Sequence, residues 1–180
     1  MNKLLSILLL SITFTATLLV PEEYSTIQLG VDASSNGDTI FVSSGTYYEN
    51  IYITTENISL IGENKETTII DGGLNGHVIK LENPAHQTEI SNFTIRNGYS
   101  SHGGGGIESN GPEDLLFKNL IIHDNFASNY GGGIRFESSS GTIDSCEIFN
   151  NEAERGSAIL SCNSEIVEIK NSIIRNNGAC

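Results

Sequence analysis

Short runs of apolar residues rich in Ile, Val, Leu and Phe recur along the chain, and polar or glycine-rich segments of similar length separate them. None of these runs has the three-to-four-residue apolar spacing of an amphipathic helix. Beyond residue 90, similar stretches return at a nearly constant interval. A short period combined with β-rich runs predicts a solenoid of stacked strands and argues against a helical repeat.

Four stretches define the period, at residues 92–97, 119–124, 146–151 and 171–176, so that their starts lie 27, 27 and 25 residues apart. A large apolar residue follows each start by three positions: Ile95, Ile122, Phe149 and Ile174. A polar residue stands two positions further on: Asn97, Asp124, Asn151 and Asn176. A slip of one residue would substitute Asn125 for Asp124. Stacked coils would place the apolar residues in an interior column and let the Asn amides hydrogen-bond along the stack as a ladder.

Glycine runs form a second marker of the repeat, at 103–106, at 131–133 and at Gly156. Each run leads to an apolar residue: Ile107, Ile134 and Ile159. A glycine-rich loop at a helix start would suggest a phosphate site, but no helical pattern follows these glycines. We therefore interpret them as turns.

These patterns predict an all-β, right-handed parallel β-helix with three short strands in each coil of about 26 residues. Ser25 or Thr26 would cap a short N-terminal helix that carries Ile27 and Val31, although Gly30 weakens it. The helix would cover the open edge of the first coil. Further strands are expected at residues 39–42, 51–53, 58–61, 68–70 and 78–81.

The first nineteen residues differ from the rest. Lys3 and an apolar run over residues 4–10 have the layout of a secretory signal peptide, and a retained membrane anchor is the alternative. We therefore predict a signal peptide at 1–19 and a β-helix domain at 20–180. The chain stops in the middle of a repeat, so we expect a C-terminally truncated solenoid. No membrane span is expected beyond the leader.

The chain is acidic, with 9 Lys and Arg against 22 Asp and Glu and a formal net charge of −13. Such a charge repels phosphate backbones, so nucleic acid is excluded as a partner. An exported protein could form disulfides, but Cys146, Cys162 and Cys180 are an odd number and their redox state is left open. Cys146 stands where the other repeats have Asn, so we expect a small inward side chain there.

Several segments carry a family resemblance: 20–28, 36–42, 45–47, 49–51, 58–62 and 67–72. They resemble the start of pectinesterase-like and related right-handed β-helix proteins, which share the pectin-lyase fold. Residues 127–134 and 149–159 are similar to the FxxN and GGAI repeats of polymorphic outer-membrane proteins, with altered spacing around Phe149. Together the resemblances cover nearly everything after residue 19. They imply a fold more strongly than an activity, because this fold hosts enzymes, adhesins and structural proteins.

The resemblance also says which chemistry to look for. A pectinesterase-like enzyme carries an Asp within a Gly-x-x-Asp-Phe-Ile-Phe-Gly run, which this sequence lacks. Lyases of this fold use clustered acids to hold calcium. Asp144, Glu147 and Asn150 stand close together here, but neighbouring repeats do not match them. We therefore predict no catalytic residue in this chain.

The most suggestive surface is an outward column of Arg96, His123, Asn150 and Arg175. Strand alternation points these side chains away from the core if Ile95 and its equivalents point inward. Such a column could line a sugar-binding groove, and an ordinary solvated face is the alternative. No carboxylate partner for His123 is evident from the pattern.

Metal ligation finds little support. His77, His86 and His102 stand in or beside turns at no metal-ligand spacing. Residues 71–76 suggest calcium only weakly, because acids do not recur there, and a turn is the better interpretation. We therefore predict no metal site, with calcium the one cofactor that remains open.

Two functional classes follow. The first is a secreted or cell-surface protein, extracellular or at an outer membrane, that is non-catalytic in this region and binds polysaccharide or a cell-surface component in adhesion. The second is a carbohydrate-active enzyme, a pectinesterase-like protein or a polysaccharide lyase, whose active site lies in further C-terminal coils.

Overall fold

A computed structural model describes residues 15–164 and 166–178. Within those ranges the chain forms twenty-one short strands and one helix, and neighbouring strands are parallel. The strands wind into about six stacked coils. The predicted right-handed parallel β-helix is confirmed. The expected leader falls largely on residues 1–14, outside the described residues.

The strands stack into four sheets, which we label A to D. Sheet A contains β1 (Thr17–Val20), β2 (Thr39–Val42), β5 (Ser59–Gly62), β8 (Glu89–Ser91), β12 (Leu115–Lys118), β16 (Gly141–Asp144) and β20 (Val167–Lys170). Sheet B contains β3 (Gly45–Tyr48), β6 (Thr68–Asp71), β9 (Thr94–Arg96), β13 (Ile121–His123), β17 (Glu147–Phe149) and β21 (Ile173–Arg175). Sheet C contains β4 (Ile51–Ile53), β7 (Ile79–Glu82), β11 (Ile107–Asn110), β15 (Ile134–Glu137) and β19 (Ile159–Cys162).

Sheet D is a feature that the sequence analysis did not predict. It contains β10 (Tyr99–Ser100), β14 (Phe126–Tyr130) and β18 (Glu152–Arg155), so three of the coils have a fourth short strand. The glycine runs follow these strands, and they let adjacent coils approach closely. A Cβ on Gly105 would lie 2.4 Å from the carbonyl oxygen of Phe126.

The N-terminal helix α1 spans Ile27–Ala33 and begins as predicted, because the Thr26 side chain accepts a hydrogen bond from Leu29 N. Gly30, expected only to weaken the helix, has a packing role. A Cβ there would lie 3.1 Å from Ile40 Cγ2, so glycine lets the helix lie close to the first coils. Strand β1 begins at Thr17, inside the segment expected to be the leader.

The interior column of sheet B requires one correction. Its residues are Ile95, Ile122, Ile148 and Ile174, so the intervals are 27, 26 and 26 residues, and Phe149 lies outside the column. The third repeat therefore starts at Ser145. Cys146 is buried as expected, but it does not replace an Asn, because Ser145 takes that left-handed turn position with φ +58°.

The predicted Asn ladder is present with corrected members, because Asn151 belongs to it, Asn125 and Asn177 replace Asp124 and Asn176, and Asn97 bonds to Asp71 instead. It consists of Asn125, Asn151 and Asn177, whose side-chain amides hydrogen-bond from coil to coil. The preceding position of each turn has φ near +55° and holds Asn97, Asp124, Asn150 and Asn176. These outer turn residues are therefore polar because they tolerate the left-handed conformation.

Candidate functional site

The last outward position of each sheet B strand forms one continuous column across six strands. We call it the sheet B column, and it consists of Tyr48, Asp71, Arg96, His123, Phe149 and Arg175. Alternation along each strand directs these side chains away from the core, since Ile95 and Ile122 in the adjacent positions are fully buried. The column runs parallel to the axis of the solenoid.

Three of the four predicted site residues, Arg96, His123 and Arg175, lie in this column. The fourth, Asn150, does not, which corrects the sequence-based prediction. It occupies the turn after β17 with φ +53°, and Phe149 takes its place beside His123. Residues 150 and 151 are both Asn, so the sequence pattern did not distinguish between the two registers.

One part of the column is a partly buried ion pair. Asp71 is 4% exposed, and its carboxylate accepts hydrogen bonds from Arg96 Nε at 2.9 Å, Asn97 Nδ2 at 2.8 Å and Gly73 N at 3.0 Å. Burial alone would raise the pKa of Asp71, but these hydrogen bonds and the Arg96 charge outweigh it and hold the pKa below its ordinary value. Asp71 therefore orients Arg96 and offsets its charge.

His123 has the carboxylate partner that the sequence analysis did not find. Its Nδ1 lies 2.7 Å from Asp124 Oδ2, although the two residues are adjacent in sequence. Because Asp124 has φ +55°, it turns outward and does not join the interior ladder. A carboxylate on Nδ1 orients an imidazole, so Asp124 positions His123 on this face.

The other part of the column is a stack of rings. The His123 and Phe149 rings lie parallel, 5.0 Å apart and inclined by 2°. The Arg175 guanidinium lies 4.2 Å from the centre of the Phe149 ring, within cation–π range. Both faces of Phe149 are therefore covered, and this part of the column presents ring edges and N–H groups.

The acids considered for a lyase-like site lie on different sheets. Asp144 is in sheet A, where Asn171 Nδ2 and Ser145 Oγ donate to it at 2.9 and 3.0 Å. Glu147 is in sheet B, 3.8 Å from Lys65 Nζ. Hydrogen bonding lowers the pKa of Asp144 below its ordinary value. This arrangement gives no pair of convergent carboxylates.

No cluster of three or more His, Cys, Asp or Glu within the described residues is positioned to hold a metal ion. The turn expected at residues 71–76 is present, with Gly73 N bonded to Asp71. The Nδ1 atom of His77 lies 2.7 Å from the Gly104 carbonyl oxygen, and burial lowers the pKa of the His77 imidazole.

Burial raises the pKa of the Cys146 thiol to about 11, so this thiol is protonated. Cys180 lies outside the described residues.

A buried ionic group on sheet C was missed in the sequence. Glu108 is 5% exposed and lies 2.7 Å from Arg135 Nη1, and Arg135 also contacts Glu137. Burial raises the pKa of Glu108, and the Arg135 charge opposes that effect. The sequence did contain a signal for this pair, because Glu108 and Arg135 occupy equivalent positions after two successive glycine runs.

The motif residues shared with pectinesterase-like proteins have structural roles here. The Glu49 carboxylate accepts hydrogen bonds from Ile27 N and Gln28 N at 2.9 and 3.0 Å, which caps the start of α1. The Tyr47 hydroxyl donates to the Ser43 carbonyl oxygen at 2.9 Å. The sequence resemblance in this region therefore concerns the fold.

The sequence matches no protein-family model and no curated protein. Solved structures do resemble it. A mutant pectin methylesterase in complex with a hexasaccharide aligns with a TM-score of 0.52 and 12% identity, over 88% of this chain and 67% of that one. The pectin methylesterase of Erwinia chrysanthemi aligns with a TM-score of 0.43 and 13% identity, over 88% and 67%. That of Aspergillus niger aligns with a TM-score of 0.43 and 16% identity, over 93% and 88%.

The chain is therefore a parallel β-helix with the fold of the pectin methylesterases. An identity of 12% supports shared architecture and does not transfer an active site. Among the described residues, no helix is both long and apolar enough to cross a membrane.

Proposed function

We propose that this protein is an exported, non-catalytic β-helix that binds polysaccharide through the sheet B column, either free or at a cell surface in adhesion. The single observation that carries the proposal is the register of six outward polar and aromatic side chains on successive strands. Five intervals of about 4.8 Å make a straight ridge of roughly 24 Å. A ridge of that length suits an extended polymer better than a compact ligand.

The chemistry of the ridge fits sugar hydroxyl groups. Asp71 accepts from one N–H of Arg96, and the remaining guanidinium N–H groups are potential donors. The Arg175 guanidinium lies 4.2 Å from the centre of the Phe149 ring, and its N–H groups are further potential donors. Because the ridge is shallow, we expect dissociation constants in about the micromolar to millimolar range.

Affinity electrophoresis and calorimetry against a polysaccharide panel would test this proposal. The panel contains polygalacturonate, its methyl ester and a neutral glucan. Replacing Phe149 and Arg175 together with Ala should weaken binding about tenfold or more. Lys170→Ala is the matched control, because this exposed cation lies on sheet A. Equal binding by the double variant and the wild type would remove the sheet B column from the proposal.

The second candidate is a carbohydrate-active enzyme, and the His123–Asp124 pair favours it. An imidazole held at 2.7 Å by a carboxylate has the arrangement of a general base, with Arg96 at the equivalent position of the preceding coil. The test is product release from polygalacturonate and its methyl ester, with and without calcium. Turnover that disappears in His123→Ala would favour the enzyme, and binding without turnover would favour the first proposal.

A further inference from the structure

A second aromatic stack lies on sheet D, away from the sheet B column. The rings of Tyr99 and Phe126 are 5.5 Å apart and inclined by 8°, and they occupy equivalent positions of β10 and β14. Tyr99 is 42% exposed. One face of its ring is covered by Phe126, in the following coil.

The other face of the Tyr99 ring is directed to the preceding coil. Tyr99 N donates to the Gly76 carbonyl oxygen at 2.8 Å, a bond that in a parallel register places His77 opposite Tyr99. The His77 imidazole is directed to the Gly104 carbonyl oxygen, 2.7 Å from its Nδ1, and does not extend the aromatic stack. The stack therefore ends at Tyr99, whose second ring face borders the surface.

This face of Tyr99 borders a groove of about 420 Å³. Its wall includes Leu74, Asn75 and His77 from one coil, and Tyr99 and Ser101 from the next. An apolar ring face beside amide, imidazole and hydroxyl groups resembles the mixed lining of small-ligand sites.

Leu74 at the rim is unusual in two respects. It has φ +56°, a left-handed conformation that costs a leucine about 1–2 kcal/mol, and its side chain is 61% exposed. Core packing does not repay this strain, because the side chain points to solvent. Strained residues of this kind concentrate at ligand-binding positions.

The lining carries no permanent charge. His77 is half-buried, and its Nδ1 lies 2.7 Å from the Gly104 carbonyl oxygen. Burial lowers its pKa, so the imidazole is neutral near pH 7. In a chain with a formal charge of −13, an uncharged groove disfavours anionic ligands.

We infer that this groove binds a neutral pyranose ring, whose C–H face stacks on the face of the Tyr99 ring that Phe126 leaves uncovered. The hydroxyl edge of the sugar lies toward Asn75, His77 and Ser101. The site does not depend on the sheet B column, because the two surfaces lie on different sheets. A negative result at one of these surfaces therefore does not contradict the proposal for the other.

The test follows the ring resonances of Tyr99 by NMR while cellotetraose, mannotetraose or galactotetraose is added to the full chain, with trigalacturonate as the charged probe. At least one neutral probe should shift the Tyr99 resonances and bind about tenfold more tightly than trigalacturonate. Tyr99→Ala should weaken that binding about tenfold, while Tyr99→Phe should retain it within about twofold. Tyr52→Ala, which removes an exposed tyrosine of sheet C that belongs to neither surface, should have no effect on it.

A second variant guards against misfolding of Tyr99→Ala. Asn tolerates the left-handed conformation better than Leu, so Leu74→Asn should raise the melting temperature while weakening the binding of the neutral sugar severalfold. No shift with any neutral probe would overturn the inference. So would binding that survives Tyr99→Ala in a folded protein, or binding that Leu74→Asn leaves unchanged.

Discussion

The side chains of Asn125 and Asn151 hydrogen-bond to each other from adjacent coils, with 2.9 Å between Asn125 Nδ2 and Asn151 Oδ1. Asn151 continues the ladder to Asn177 Oδ1 at 3.1 Å. Its amide also donates to the carbonyl oxygens of Ile122 and Phe149, at 2.9 and 3.1 Å. One fully buried amide thus satisfies backbone groups in two coils.

Replacing Asn151 with Ala should therefore be costly. The substitution leaves several buried polar groups without partners, each costing about 1–3 kcal/mol. Urea denaturation should report a loss of several kcal/mol in unfolding free energy. Asn150→Gly is the matched control, because Asn150 is exposed and left-handed, and we expect a change within about 1 kcal/mol. Similar losses for the two variants would contradict the assignment of the ladder.

The neighbouring residues Ile121 and Ile122 test which face of sheet B points inward. Ile122 is fully buried between Ile95 and Ile148, so Ile122→Ala should cost about 2–5 kcal/mol. Ile121 is half-buried and points outward, so Ile121→Ala should cost clearly less. Thermal and urea unfolding of the two variants give the comparison, and a reversed order would refute the register.

Asp71 should make stability depend on pH in the acidic range. Its pKa is below the ordinary value in the folded state, because hydrogen bonds and Arg96 outweigh its burial. The resulting stabilisation is present above the unfolded pKa and is lost as pH falls through the folded pKa. Asp71→Asn should be less stable than the wild type at pH 7, with the difference vanishing on acidification. Arg96→Met should move the loss to higher pH.

Urea unfolding at pH 7 and pH 2 measures the stability difference between Asp71→Asn and the wild type. If that difference is the same at both pH values, the result counts against this ion pair.

Alanine substitutions at two glycines would distinguish the cost of steric clash from the cost of backbone strain. Gly104 has φ +64°, and a Cβ there would lie 2.3 Å from Glu108 Oε2 and 2.7 Å from its Cα. Gly73 has nearly the same φ, +59°, with no atom within 4 Å of its Cβ position. Gly73→Ala should therefore cost only the strain of about 1–2 kcal/mol. Gly104→Ala should cost more, and equal losses in urea denaturation would contradict the close approach.

The position of strand β1 bears on signal cleavage. Leu18 and Val20 are buried, and Thr39 N donates to the Ala16 carbonyl oxygen at 2.9 Å. Cleavage after residue 19 would remove most of this strand. We therefore predict that exported protein begins at or before Thr17, which N-terminal sequencing of secreted material checks. A mature chain that begins at Val20 would show that β1 is dispensable.

The sequence by itself determined the architecture, because in a parallel in-register stack the repeat length along the chain equals the path around one coil. Side chains one period apart then become neighbours, so the recurrence of Ile95 and Ile122 already predicts a contact. The buried interior demands apolar residues at those positions, and the demand is visible in the pattern.

Only the tertiary structure decided the frame of the third repeat and the positions of its outward residues. Asn150 and Asn151 both fit a polar pattern, and hydrogen-bond geometry selects Asn151 for the interior. That one-residue choice places Phe149 beside His123. It also exchanges the inward-pointing and outward-pointing positions along β17. The stack of Tyr99 on Phe126 and the groove beside Tyr99 likewise depend on contacts between coils, which the local sequence does not specify.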